Sequence, residues 1–110
     1  LYDLWFDEQG NKTQHLKHFT EKRNKERNFA ISNLSGILVG SGAKASNAFK
    51  ELHDVCFNNN GEETELLNNF YDVGFKPGNL SSMLCGSGFR ASHRLKEFHD
   101  TLFDDKGKET

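Results

Sequence analysis

The chain has only two cysteines, a net charge of −2 and no long hydrophobic run among its 110 residues. Two cysteines are too few for a disulfide scaffold, and no residues near them have metal-ligand spacing. The absence of a long apolar run and of a secretory leader pattern predicts a soluble, intracellular protein without a membrane span. We expect no metal or other cofactor, and no small-molecule substrate.

Two long segments of the chain are similar to each other. Residues 33–57, NLSGILVGSGAKASNAFKELHDVCF, align with residues 79–103, NLSSMLCGSGFRASHRLKEFHDTLF. A short pattern, Phe-x-x-x-Gly-x-x-Thr, follows each segment and also opens the chain. Self-similarity at this period predicts a tandem repeat. We divide it into units 1–51 and 52–97 and the start of a third unit, 98–110, and expect it to belong to a longer array.

Each unit is predicted to contain three helices and no strand. The first helix follows the Thr of the short pattern, because Thr favours helix N-caps. The second runs from about Pro77 to Cys85, and the third carries Ala91, Leu95 and Phe98 on one face. Since one such unit cannot bury its apolar face alone, we predict an all-α fold whose units stack as a solenoid.

Alignment of the copies predicts structural roles for the cysteines. Cys56 aligns with Leu102, and Cys85 aligns with Val39. A position that accepts these apolar side chains is typical of a hydrophobic core. We therefore expect both cysteines to be buried.

Two histidine–aspartate pairs, His53/Asp54 and His99/Asp100, recur in the same place. Adjacent residues on a helix point about 100° apart, so we expect that neither aspartate orients its histidine. We interpret the histidines as packed rings with a bonded polar edge, and the aspartates as partners in local hydrogen bonds or ion pairs between units. No nucleophile or second carboxylate accompanies the pairs, which favours a protein without enzyme activity.

The turns Gly40–Gly42 and Gly86–Gly88, each Gly-Ser-Gly, join the second helix of a unit to the third. In one interpretation they are only tight turns, in which glycine adopts a positive φ and Ser41 or Ser87 caps the next helix. In the other they are anion sites, because a glycine-rich turn before a helix leaves backbone N–H groups free.

Lys44 and Arg90 stand two residues after the second glycine of each turn. A cation at a helix N-terminus is electrostatically unfavourable by itself. Its presence in both copies indicates that an anion binds there.

The segment 74–98, GFKPGNLSSMLCGSGFRASHRLKEF, resembles a repeat of the transcription-activator-like effectors and their bacterial relatives. In that family a short helix is followed by a variable pair of residues, a glycine, a basic residue and a second helix. The resemblance implies that DNA phosphates are held by Gly42, Lys44, Gly88 and Arg90. It also implies that Ser41 and Ser87 approach base edges and that Gly40 and Gly86 support the turns.

We therefore consider first a nucleic-acid-binding array in which the turns contact phosphates, with a steep dependence on salt. Basic residues of the segment 12–27 are expected to add charge beside it. The accessory residues are Lys22, Arg23, Lys25 and Arg27.

The second function that we consider is a protein-recognition solenoid of a bacterial effector that acts inside a host cell. Its contact surface would include Phe89, Tyr71 or the acidic segment 58–72. The region of the first helix is basic in the first unit, at residues 12–27, and acidic in the second, at residues 58–72. This difference favours protein recognition or confines DNA contact to the turns. The turn chemistry and the resemblance favour nucleic acid, which is the partner we predict.

Overall fold

A computed structural model describes residues 5–22, 25–104 and 106–109 of the chain. Helices and turns account for the secondary structure of these residues, apart from three isolated β-bridges. The helices are α1 (Gln14–Thr20), α2 (Ile31–Leu38), α3 (Ala45–Cys56), α4 (Glu65–Asp72), α5 (Pro77–Leu84) and α6 (Ala91–Leu102). Short 3₁₀ turns cover Lys25–Arg27, Gly42–Lys44 and Gly88–Arg90. The predicted all-α class is confirmed.

The three helices predicted for one unit are observed as α4, α5 and α6. Proline suits the first position of α5, because the N–H group that it lacks would have no partner within the helix there. Thr64 lies at the N-cap position of α4, as predicted, and has the extended backbone of an N-cap. Its hydroxyl donates to the Val55 carbonyl at 2.6 Å, so it makes no side-chain cap hydrogen bond. The hydroxyl therefore closes the preceding loop instead of the helix end.

Two asparagines stabilise the starts of α2 and α5 in place of such caps. The Ala30 N–H donates to Asn33 Oδ1 at 2.9 Å, and the Lys76 N–H donates to Asn79 Oδ1 at 2.9 Å. This is the half of a capping box in which the third helical residue reaches back to the N-cap backbone. It explains why asparagine stands at both positions.

The short Phe-x-x-x-Gly pattern forms three similar loops. In each loop one side-chain oxygen, of Asp7, Asn58 or Asp104, accepts two backbone N–H groups at 2.9–3.0 Å. The loops are closed by antiparallel bridges, such as Phe57 with Glu63. The same local chemistry thus ends α3, α6 and the segment before α1.

Phenylalanines form the centre of the core at two equivalent places. Phe19 is fully buried, and its ring centroid lies 4.9–5.5 Å from those of Phe29, Phe49 and Phe57. Phe70 is also fully buried and lies 5.3 Å from Phe75 and 5.3 Å from Phe103. Most of these pairs meet edge to face, the geometry that aromatic rings favour.

Equivalent helices of the two similar segments lie side by side. α2 packs against α5, and α3 packs against α6. The unit boundaries used for the sequence, after residues 51 and 97, fall within α3 and α6. None of the helices that the structure describes is long and apolar enough to cross a membrane.

The prediction for the cysteines is half correct. Cys56 is buried in the core, as expected, but Cys85 is exposed and its counterpart Val39 is 59% exposed. Both residues follow the last turn of a helix with an extended backbone, at ψ values of 129° and 131°. Their side chains consequently leave the apolar face that the helix buries, so the agreement between Cys85 and Val39 reflects a shared exposed position.

Candidate nucleic-acid interface

The two Gly-Ser-Gly turns have the same backbone geometry. The φ angles are +91° and +73° at Gly40 and Gly86, and +56° and +60° at Gly42 and Gly88. Because L-residues with a side chain rarely adopt these values, glycine is required by conformation at all four positions. The expectation of positive φ is confirmed, and in each turn the second glycine continues through a 3₁₀ turn into a long helix.

The two serines of the turns do not cap helices. Ser41 and Ser87 have right-handed helical backbones, at φ −70° and −67°, and make no side-chain cap hydrogen bond. They are 6% and 9% exposed, and neither hydroxyl has a hydrogen-bond partner among the described residues. The predicted caps are wrong, because a capping serine needs the extended backbone that these residues lack. The resemblance placed these hydroxyls at base edges, but the fold places them inside the protein.

The two turns touch each other through their backbones. A Cβ atom added to Gly88 would lie 3.2 Å from the Val39 carbonyl oxygen and 3.3 Å from Ser41 N. The Gly86 N–H donates to the Gly36 carbonyl at 3.0 Å. Close approach is therefore a second reason for glycine at position 88, which the local sequence pattern does not reveal. No such contact surrounds Gly42, where an added Cβ would meet nothing within 4 Å.

Backbone N–H groups remain available at the first turn. The Ser41 N–H donates to Leu38 O and the Lys44 N–H donates to Ser41 O, each at 3.0 Å. No hydrogen bond within the described residues uses the N–H groups of Gly42 or Ala43, and both residues are exposed. A right-handed residue followed by a left-handed one turns successive N–H groups toward one point, which forms an anion-binding concavity. The second turn is less accessible at the equivalent position, because Gly88 is buried whereas Gly42 is exposed.

Stacking of the turns brings Lys44 to the aromatic ring that stands beside Arg90 in the sequence. Lys44 Nζ lies 4.7 Å from the centroid of Phe89, and Arg90 Cζ lies 5.7 Å from it. The Phe89 ring is 45% exposed, and both cations are exposed. Each exposed cation–ring contact contributes about 0.5–1 kcal/mol. We call Lys44, Phe89 and Arg90 the turn patch.

The predicted accessory bases have mixed positions. Lys22 Nζ donates to the Gly61 carbonyl at 2.6 Å and lies 4.2 Å from the Phe57 ring centroid. Burial lowers the pKa of Lys22, and the nearby Glu63 carboxylate partly opposes this effect. Lys25 is exposed, and Arg23 lies outside the described residues.

Arg27 connects the basic segment to the acidic one. Its Nη1 lies 2.8 Å from Glu63 Oε1 and donates to Asn68 Oδ1 at 3.3 Å, while its guanidinium lies 4.7 Å from the Tyr71 ring centroid. These contacts give the charge segregation along the chain a structural role. They also commit Arg27 to packing within the protein, which leaves the turn patch as the candidate interface.

A groove with both signs of charge adjoins the turn patch. Its volume is about 680 Å³, and Phe89 and Arg90 are among the residues that line it. His93 Nε2 lies 2.7 Å from Glu97 Oε1 within it. The other lining residues are Glu51, Ser92 and Arg94. The groove therefore does not continue the turn patch as a uniformly basic track.

The histidine–aspartate pairs are in contact, contrary to expectation. His53 Nδ1 lies 3.2 Å from Asp54 Oδ1, and His99 Nδ1 lies 3.3 Å from Asp100 Oδ1. The angle between neighbouring side chains does not prevent the contact, because the side-chain torsions bring the two tips together. The bonded rings and the local hydrogen bonds agree with the structural interpretation. Among the described residues no group of three or more His, Cys, Asp or Glu could hold a metal ion.

Comparison with family models, curated proteins and solved structures gives no match.

Proposed function

We propose that the chain is a non-enzymatic helical-repeat module that binds a nucleic-acid backbone along its stacked turns. The observation that carries the proposal is the turn patch. Two residues 46 positions apart in the sequence, Lys44 and Arg90, meet at one exposed aromatic ring. A nucleic-acid backbone suits such a patch, since its phosphates bind the two cations and a base can stack on the exposed aromatic ring.

The packing of equivalent helices supports a solenoid as the larger architecture. α2 lies against α5 and α3 against α6, so each helix of one segment contacts its counterpart in the other. In a solenoid every unit contacts its neighbours through the same surfaces, and its loops align along one edge. We propose that the Gly-Ser-Gly turns form this edge, because they already touch at Gly88. The same proposal places the chain among effector-type repeat proteins of bacteria that act inside a host cell.

The charge distribution limits how strongly two units can bind. The patch offers two cations, and phosphate contacts on duplex DNA each contribute about −0.9 to the slope of log affinity against log salt. Two contacts therefore give a slope of about −1.8 for this chain. Because the serine hydroxyls are buried, base readout by Ser41 and Ser87 is not part of the proposal, and we expect weak sequence preference.

The test is fluorescence-anisotropy binding to random-sequence duplex and single-stranded DNA between about 50 and 200 mM salt. The double variant Lys44→Ala/Arg90→Ala removes both cations of the patch. The matched control, Lys50→Ala/Lys96→Ala, removes two exposed cations at equivalent positions of α3 and α6 and makes the same change in net charge. We expect the patch variant to flatten the salt slope by about 1.8, and the control to change it little. Absence of binding at low salt, or equal losses in both variants, would contradict the proposal.

Protein recognition is the second candidate, and the exposed apolar residues favour it. Val39 is 59% exposed and Phe89 is 45% exposed, and the nearby groove contains Glu51 and Glu97 as well as Arg94. Exposed aromatic and arginine side chains, such as Phe89 and Arg94, are enriched at protein interfaces. Binding of a protein partner that tolerates salt and is lost in Phe89→Ala, together with no DNA binding, would establish this alternative.

A further inference from the structure

A chain of hydrogen bonds joins α1 to α3 through two histidines. His18 Nδ1 and His53 Nε2 are 2.7 Å apart and buried. The chain continues on one side from His18 Nε2 to Gln14 Nε2 at 3.1 Å, and on the other from His53 Nδ1 to Asp54 Oδ1 at 3.2 Å. Each of the two rings therefore has both nitrogens in contact with a partner.

The partners at the two ends determine where the protons lie. A carboxylate accepts only, so His53 Nδ1 carries a proton for Asp54, and His53 Nε2 is left as an acceptor. His18 must then donate from Nδ1, which leaves its Nε2 to accept from the Gln14 amide. Both rings are neutral in this arrangement. If both were protonated, two N–H groups would face each other across 2.7 Å, so the contact holds one proton and not two.

Other groups around the pair also disfavour positive charge. The His15 ring centroid lies 4.1 Å from that of His53, and Lys22 adds a positive charge near His18. Burial is the largest cause that lowers the pKa of His18, followed by Lys22 and His15. Burial also lowers the pKa of His53, although the hydrogen bond with Asp54 opposes the effect.

The loop after α3 covers the same pair. A Cβ atom at Gly61 would lie 2.5 Å from His18 Cδ2, so this backbone packs directly on the ring. The Gly61 carbonyl accepts a hydrogen bond from the Lys22 ammonium. The pair is thus enclosed by α1, α3 and the loop, and little space remains for a ring to turn away.

The second, equivalent joint contains an asparagine in place of one histidine. Asn69 of α4 occupies the position of His18, and its Nδ2 lies 2.9 Å from His99 Nε2 of α6. His99 Nδ1 contacts Asp100 as His53 contacts Asp54. Gly107 packs on Asn69, where a Cβ would lie 2.7 Å from the amide nitrogen. The described part of the chain therefore contains one joint with two titratable rings and one joint with a single ring.

We propose that the His18–His53 pair is a proton-sensitive joint, which loosens the packing of α1 and the Asn58–Glu62 loop on α3 as the pH falls below about 6.5. An unperturbed histidine side chain has a pKa of about 6.5, and burial holds the pKa of both rings below this value in the folded state. The unfolded chain then binds protons that the folded chain excludes, so stability is fully present above about pH 6.5 and is lost as the pH falls toward the folded values. Each excluded proton lowers the folding equilibrium constant by up to about tenfold per pH unit.

The experiment measures urea unfolding by circular dichroism between about pH 5 and pH 8 for the parent chain and three variants. His18→Asn copies the natural arrangement of Asn69. Asn69→His builds a second histidine pair, for which Gly107 leaves the same space that Gly61 leaves for His18. His93→Gln changes an exposed histidine, 72% exposed at its side chain, and serves as the control.

We expect His18→Asn to flatten the fall of stability below about pH 6.5, and Asn69→His to steepen it by up to about tenfold per pH unit. His93→Gln should follow the parent. The proposal is overturned if His18→Asn retains the parent's pH dependence. If His18→Asn does not fold, Asn69→His decides the matter, and an unchanged pH dependence of that variant overturns the proposal.

Discussion

Replacing Gly88 with alanine tests the contact between the two turns, and Gly42 supplies the matched comparison. Both glycines have a positive φ, +60° and +56°, so alanine is strained at both positions by about 1–2 kcal/mol. Both substitutions also reduce the freedom of the unfolded chain by the same amount, which offsets about 0.4–1 kcal/mol. These terms cancel when the two variants are compared.

The remaining difference comes from the surroundings. At Gly88 the new methyl group would lie 3.2–3.3 Å from backbone atoms of Val39, Gly40 and Ser41, whereas at Gly42 it would meet nothing within 4 Å. Backbone atoms within a packed turn cannot move aside as a flexible side chain can. Overpacking of this kind costs about 1–3 kcal/mol. We therefore expect Gly88→Ala to destabilise the fold by about 1–2 kcal/mol more than Gly42→Ala.

The assay is the free energy of unfolding from urea titration, followed by circular dichroism, for the parent and both variants. Slopes of unfolding free energy against urea must agree among the three proteins, since a changed slope would indicate a changed folded or unfolded state. Equal destabilisation by the two substitutions would refute the inference that the turns touch through their backbones. The DNA-binding test then shows whether separation of the turns also separates Lys44 from Arg90.

Two further predictions concern buried groups. Burial raises the pKa of Cys56 to about 12, whereas Cys85 is exposed. A thiol reagent at pH 8 should therefore modify only Cys85 in the folded chain and both cysteines in urea. Rapid modification of both cysteines in the folded chain would contradict the packing of Cys56. Arg27→Ala should lower the free energy of unfolding by about 1–2 kcal/mol, because Glu63 is only 17% exposed and loses its partner. The measurement is urea titration of a double-mutant cycle of Arg27→Ala with Glu63→Gln, and Lys25→Ala serves as the control. A coupling energy near zero would contradict the assigned ion pair.

The positions of the helices could be predicted because local signals repeat in the chain. Pro77 starts α5, the glycines with positive φ end α2 and α5, and apolar residues at helical spacing mark α6. These signals depend on neighbours within a few residues, so they are visible without any knowledge of tertiary contacts. The order of the three helices in a unit follows directly from them.

Side-chain partners could not be predicted in the same way. Ser41 and Ser87 suit an N-cap by composition, but their backbone is helical and their hydroxyls are buried. Cys85 matches Val39 in character, yet both leave the packed face because the chain bends after the helix. In each case the outcome depends on a backbone angle or a distant contact.

The two cations of the turn patch were named from the sequence, but the assembly of the patch was not. Lys44 and Arg90 were identified from their place after each turn, whereas Phe89 was named only as a contact residue of the alternative, protein-recognition function. Their meeting at one ring requires the turns to stack, which follows from the contact at Gly88. Lys22 and Arg27 were assigned to the same surface by charge alone, and long-range partners on the Asn58–Asn68 segment engage them instead.

The contact at Gly88 has a mechanical consequence for a stack of such units. It lies at the N-terminal end of α3, and the His18–His53 pair lies near the C-terminal end of the same 12-residue helix, which is about 18 Å long. Backbone atoms that already touch cannot move closer together at the turn edge. The hydrogen-bonded side chains of His18 and His53, at the other end of α3, can separate. In the solenoid that we propose, the stack would therefore bend about the turn edge. Its curvature would change while the spacing between Lys44 and Arg90 stays constant.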